Sequence, residues 1–237
     1  MSTLTVYPIA GTTGAVDSNM YVEHATYSTA HDAADADAED STDPELLGMN
    51  SDVGATYFIR RGGMLFDTSA LGSGATISAA VLSLYYNSDK ANADAGQAEP
   101  HIVDFNPASL TDIVVGDWDQ FGTTSFATVA YSGISTAQYY NFTLDSNGIA
   151  NISKTGTSAF GIRSAGDINN STPTGGNRVS WMSADTAGTS NDPKLVITYT
   201  AVVGPANLKT YNTNTVANIK SINTNLIANI KSLNTNV

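Results

Sequence analysis

The chain has 237 residues, no cysteine and a formal charge of −12, which excludes disulfides, thiolate metal sites and a cysteine nucleophile and makes nucleic-acid phosphates unfavourable partners. Charged residues make up only 14% of it, and Gly, Ser, Thr, Asn, Asp and Ala dominate, a composition that favours short strands joined by turns over long surface helices. Every Asp and Glu precedes residue 201, whereas Lys209, Lys220 and Lys231 are the only charged side chains after it.

The opening stretch MSTLTVYPIAGTTG has neither a basic region nor a long apolar run, so it does not read as a secretory signal. No segment approaches the roughly 20 apolar residues of a membrane span. Short apolar or alternating runs then predict strands at Leu4–Ile9, Asn19–Glu23, Thr56–Phe66, Thr76–Tyr86, His101–Phe105, Ser125–Val129, Tyr139–Leu144, Ser158–Arg163, Arg178–Met182 and Leu195–Thr200. A helical turn fits Ser146–Ile152. Short strands with turn signals between most of them suggest a two-sheet sandwich over residues 1–200.

Residues 24–53 interrupt this pattern with an acidic, Ala-rich stretch that reads as a long loop or short exposed helix, too polar for a core strand. Its acids include Asp35, Asp37, Glu39 and Asp40. Oxygen-rich loops of this kind can hold Ca²⁺, although the Gly and terminal Glu of an EF-hand loop are missing, so a solvated loop is the preferred reading. His24 and His31 stand beside it, and these, like His101, read as surface histidines rather than as half a metal site.

Catalytic signatures are missing: there is no Gly-x-Ser-x-Gly elbow, P-loop, His-Glu-x-x-His or Cys-x-x-Cys. Asp117 or Asp119 with Asp67 could supply the two acids of a glycosidase, but nothing in the sequence brings them together. No enzyme is therefore expected. Flat aromatic faces can stack on sugars, and Trp118, in the polar turn Gly116-Asp-Trp-Asp-Gln120, is the best candidate for an exposed ring, with Asp117, Asp119 and Tyr139 as companions. Core packing is the ordinary role of the remaining candidates Tyr85, Tyr86, Tyr140 and Trp181.

After a linker at residues 201–205 the composition changes abruptly. Three near-identical units begin at Ala206, Ala217 and Ala228, each 11 residues after the last. A fixed period of this kind implies stacking or supercoiling. As a helix, residues 206–237 place Leu208, Tyr211, Ile219, Ile222, Leu226, Ile230 and Leu233 on one face, and an 11-residue period gives a slight right-handed supercoil. Asn, Thr, Ser and Ile are mediocre helix formers, so a lone helix of this composition is not expected to persist in water. Burying the stripe between chains, at roughly 1.5–3 kcal/mol per large side chain, reverses that balance. The rival reading is a β-fibre in which Asn-Thr-Asn forms turns. Both require partner chains; coiled coil is preferred, and a homo-oligomer, most simply a trimer, is expected.

The run Phe58-Ile-Arg-Arg-Gly-Gly-Met-Leu-Phe-Asp67, followed by Gly74-Ala-Thr-Ile-Ser-Ala-Ala-Val-Leu-Ser-Leu-Tyr-Tyr86 and the closing Pro193-Lys-Leu-Val-Ile-Thr-Tyr199, resembles the DNRLRE-type jelly-roll domains. Those domains carry an R-x-x-L-x-F-D strand, here with Met64 in place of Leu. The resemblance covers about residues 1–200 and implies an all-β jelly-roll head of a surface protein, with polysaccharide bound by some relatives. The tail is similar to terminal repeats on proteins of uncultured microbes and their phages. Together these give the expected function: a structural or adhesive protein of a virion fibre or decoration, or of a cell-surface filament, with carbohydrate binding as the alternative and Ca²⁺ as the conceivable cofactor.

Overall fold

A computed structural model describes residues 1–9, 17–185 and 188–201. The chain divides into a unit Met1–Ala201 and a unit Val202–Val237. The repeat tail, its oligomerisation stripe and the choice between coiled coil and β-fibre lie outside the described residues.

The first unit is all-β and sandwich-like. Its strands are β1 Ser2–Val6, β2 Asp17–His24, β3 Ala38–Asp40, β4 Glu45–Asp52, β5 Tyr57–Asp67, β6 Thr76–Asn92, β7 Pro100–Phe105, β8 Phe121–Thr128, β9 Tyr139–Thr143, β10 Thr157–Ser164, β11 Asn177–Met182 and β12 Lys194–Thr200. Among the described residues three short α-helices, α1 Tyr27–His31, α2 Ser146–Ala150 and α3 Ala165–Ile168, lie between them. All strand pairs are antiparallel.

β6 belongs to both layers. Its first part pairs with β12 and β9, and from Tyr86 onward it pairs with β11. It runs six residues past the expected end at Tyr86 because polar cross-strand pairs carry the ladder: Arg178 makes two hydrogen bonds to Asp89 at 2.8 and 2.9 Å, and Asn87 donates to Ser180 Oγ at 2.6 Å. β5 is flanked on one side by β2 and on the other by β4 and then β10.

The period-2 alternation of β5 feeds two separate cores. Met64 and Phe66 enter the main core between the layers, with Leu46, Leu82, Leu84, Ile102, Phe142, Phe160, Ile162, Trp181, Leu195 and Ile197. Ile59 and Leu65 enter a second core, with Met20, Val22, Tyr27, Ala30, Val103, Phe105, Ile113, Trp118 and Phe121. Burial on both faces accounts for the adjacent apolar residues Met64, Leu65 and Phe66. It also explains Gly63, where a Cβ would stand 2.8 Å from Phe105 and 2.9 Å from Ile113.

The acidic stretch 24–53 departs in part from expectation: it holds a short helix, α1, but also supplies the strands β3 and β4. Within the stretch, Leu46 enters the main core and Tyr27, Ala30 and Ala36 the second. Its acids meanwhile fix turns. Asp40 accepts from Thr42 N at 2.9 Å, Asp43 from Glu45 N at 3.1 Å and Asp52 from Gly54 N at 2.9 Å. The helical turn near Ser146 forms α2, capped by Asp145, which accepts from Gly148 N at 2.8 Å. Among the described residues no helix is long and apolar enough to cross a membrane.

Candidate functional site

Two arginines sit inside strands, a placement that demands a partner because a buried charge is costly alone. Arg61 of β5 and Arg163 of β10 are 3% and 2% exposed, and the partner is Asp167 of α3, fully buried. Asp167 Oδ2 accepts from Arg61 Nε at 3.0 Å and from Arg163 Nε at 2.6 Å, and Oδ1 accepts from Arg61 Nη2 at 2.9 Å. Burial alone would push the Asp167 carboxyl up; the two guanidiniums more than reverse this and hold it well below the usual carboxylate range. The surplus positive charge is spread over backbone carbonyls. Arg61 donates to Trp118 O and His31 O at 2.8 and 3.2 Å, and Arg163 to Phe121 O and Gly122 O at 3.2 and 2.8 Å. The cluster thus ties β5, β10, α1, α3 and the segment before β8 together.

His31 belongs to this cluster rather than to the open surface where it was expected. Its Nε2 lies 2.8 Å from Asp167 O and its Nδ1 2.5 Å from Asp32 Oδ1. His24 is exposed, with Nδ1 accepting from Thr26 N at 2.9 Å. His101 is half-buried, and burial lowers its pKa.

Trp118 corrects a second expectation. It is 0% exposed, and the Arg61 guanidinium covers its ring at 4.0 Å from the centroid. A polar sequence neighbourhood suggested a solvated turn, but the acids on either side face different ways. Asp117 turns inward and accepts from Ala108 N at 2.8 Å and Val114 N at 2.9 Å, closing the loop between β7 and β8. Asp119 is exposed, with Gln120 Nε2 at 2.5 Å. Tyr139 lies in the other layer, on β9, half-buried; its hydroxyl donates to Ser190 O and Asp192 O at 3.0 and 2.9 Å, and Lys194 Nζ stands 3.7 Å above its ring. Asp67, exposed at the end of β5, accepts from Ser69 N at 2.9 Å. Asp117 is saturated by the backbone, so it is not free to act as a glycosidase acid.

Three of the four acids considered for Ca²⁺ are engaged separately, and the fourth is exposed. Asp35 is exposed, Asp37 accepts from Glu23 N at 2.7 Å, Glu39 from Ser18 Oγ at 2.5 Å, and Asp40 from both the backbone and the hydroxyl of Thr42. Among the described residues no group of three or more His, Asp or Glu side chains is arranged to hold a metal ion.

Accessible aromatic surface lies elsewhere, on β2 and β5. Tyr21 and Phe58 stack with centroids 5.0 Å apart and planes at 16°, and Arg60 stands over both, 5.7 and 5.2 Å from the ring centres. All three are half-buried. Tyr27 and Tyr57 border a cleft of about 430 Å³, with Asn170 and Thr172 opposite. The sequence held a signal for the buried cluster, namely Arg61 and Arg163 within apolar strand runs. It held none for the Tyr21–Phe58 pair, which the β2–β5 register creates.

No protein-family model matches the chain, and no curated protein aligns with it.

Proposed function

We propose that the chain is a non-enzymatic structural or adhesive protein, a jelly-roll head joined to a repeat that assembles chains into a homo-oligomer, most simply a trimer. It serves as part of a virion fibre or decoration, or of a cell-surface filament, and displays an acidic head. The observation that carries this reading is the threefold 11-residue repeat, an acid-free, Ile/Leu-striped segment too weak in helix propensity to order by itself. The head supports it in a different way. Its most chemically capable groups, Arg61, Arg163, Asp167 and Asp117, are consumed in internal bonds, and a buried ion cluster with every guanidinium nitrogen engaged rigidifies rather than reacts. The Arg61-to-Asp67 motif on β5, followed by β6 shared between two layers, supports the jelly-roll assignment.

The test compares the solution mass of the full chain with that of a chain ending at Gly204. The full chain is expected to be oligomeric and the shortened chain monomeric; equal, monomeric masses would refute the proposal.

A second reading, a carbohydrate-binding module, is favoured by the Tyr21–Phe58 pair, where the original Trp118 candidate is covered. A glycan array comparing the chain with Phe58→Ala tests it. Loss of roughly tenfold or more in affinity is expected of a stacking residue, and an unchanged profile would remove the pair from consideration.

A further inference from the structure

The cleft of about 430 Å³ is bordered by two segments that the sequence keeps far apart, the turn into α1 and the residues that follow α3. Thr26, Tyr27 and Ser28 come from the first, Asn170 and Thr172 from the second, and Tyr57 opens β5 beside them. Among the described residues no Asp, Glu, Lys, Arg or His borders it. Thr26, Ser28, Asn170 and Thr172 are exposed, so their hydroxyl and amide groups can exchange water for the polar groups of a ligand.

Both borders are pinned to the buried ion cluster. His31, at the end of α1, has its Nε2 2.8 Å from Asp167 O, and its own carbonyl accepts from Arg61 Nη2 at 3.2 Å. The same Asp167 carbonyl accepts from Asn170 N at 3.2 Å, and Gly166 O accepts from Ser171 N at 2.9 Å. Asn50, fully buried, donates from Nδ2 to Ser171 O at 2.8 Å. These bonds hold Asn170 in the left-handed region, at φ +50°. The cleft therefore stands ready without ordering either border, and such preorganisation lowers the cost of binding.

Tyr27 and Tyr57 meet edge to face, with centroids 5.5 Å apart and planes at 71°. An edge-on neighbour takes up at most one face of Tyr57, which is half-buried. Successive residues of a strand point to opposite faces, so the Tyr57 ring is separate from the Tyr21–Phe58 pair. An aromatic face ringed by neutral hydroxyl and amide groups suits a ligand that is apolar on one side and polar around its edge.

We propose that this cleft binds one uncharged pyranose unit of a glycan, its C–H face on the Tyr57 ring and its hydroxyls on Thr26, Ser28, Asn170 and Thr172. The proposal rests on the adhesive reading and deepens it by giving the head a ligand class and a place to hold it. A purely apolar ligand would leave the polar border unpaired. A uronic acid or sulfated sugar would find no cation at the border, in a chain of formal charge −12.

Saturation-transfer difference NMR on the full chain tests this, with the methyl glycosides of glucose, galactose, mannose and N-acetylglucosamine as probes and methyl glucuronide and adenosine as controls. At least one neutral glycoside is expected to receive saturation at millimolar concentration, most strongly on the protons of one ring face, and neither control to do so. Tyr57→Ala weakens that binding at least tenfold, Tyr57→Phe retains it, and Phe58→Ala leaves it unchanged. Thr172→Ala, at an exposed position, keeps the parent unfolding midpoint and weakens binding about threefold or more, so its effect reads the cleft and not the fold. The proposal is overturned if no neutral glycoside binds, if methyl glucuronide or adenosine binds in their place, or if Phe58→Ala abolishes binding and Tyr57→Ala does not. The mass of the chain is read separately: an oligomer that binds no sugar refutes the cleft alone, and a monomer that binds sugar refutes assembly alone.

Discussion

The Arg61 guanidinium lies 4.0 Å from the centre of the Trp118 ring and donates to the carbonyl oxygen of that same residue at 2.8 Å. One side chain thus covers the flat face of the tryptophan and fixes its backbone. The far edge of the same guanidinium reaches Asp167, so the loop before β8 and the turn of α3 are held by a single charge.

Asp167→Asn should therefore be among the most damaging single changes in the head. It leaves two buried guanidiniums without a carboxylate, and breaking a buried ion pair from one side costs about 3–5 kcal/mol. Urea unfolding followed by far-UV circular dichroism measures this. Asp119→Asn, at an exposed acid in the same region, should stay within about 0.5 kcal/mol of the parent.

Trp118→Ala should lower stability by about 3–5 kcal/mol, as expected for a large ring removed from a core. The same denaturation measurement decides between the covered ring described here and an exposed sugar-stacking ring, whose removal would leave stability nearly unchanged. A neutral Trp118→Ala would contradict the second core.

How far the sequence could reveal this head is clear from particular residues. The strand from Phe58 to Asp67 was legible because apolar residues flank Arg60-Arg61-Gly62-Gly63 on both sides, and the Arg61-x-x-Met64-x-Phe66-Asp67 motif lies within it. The β4 strand was hidden because its short run Leu46-Leu-Gly-Met49 is flanked by Asp43, Glu45, Asn50 and Asp52, and the polarity on either side outweighed it. Trp118 was misjudged for the same reason. Its burial is decided by Arg61, 57 positions away, and a short window of sequence cannot register such a partner. The burial of Asp17, whose carboxylate accepts from Ala184 N, likewise depends on two segments that meet only in the fold.

Stability should depend on pH in a way set by Asp17. Burial raises its carboxyl from an ordinary 3.8 to about 7, with Asp185 and Asp192 adding to the effect and the bond from Ala184 N opposing it. The folded state therefore binds a proton that the unfolded state releases between these values. Stability is greatest toward the lower end of that window, falls as pH rises through it, and levels off above about 7. The slope approaches about −1.4 kcal/mol per pH unit where the difference is one full proton. Denaturant titrations from pH 5 to pH 8 test this, and Asp17→Asn should flatten the curve. A parent curve that rises with pH across this range would contradict it.

Gly48→Ala should destabilise the junction of β4 and β10. An added Cβ would stand 2.8 Å from Arg163 C and 2.9 Å from Ser164 N, backbone atoms that cannot rotate away. Overpacking of this kind costs about 1–3 kcal/mol. Thermal unfolding should register the loss, whereas an alanine tolerated without any loss would mean that β4 does not cross β10 so closely.

Assembly through the repeat is the central claim, and sedimentation equilibrium on the full chain tests it most directly. One chain weighs 24.7 kDa, and the expected species is a multiple of that mass, three for the trimer. Replacing Ile222 and Ile230 by Asp should return it to one chain while leaving the circular dichroism of the head intact. A full chain that sediments as a single 24.7 kDa species over the whole concentration range, with or without those substitutions, would contradict the account.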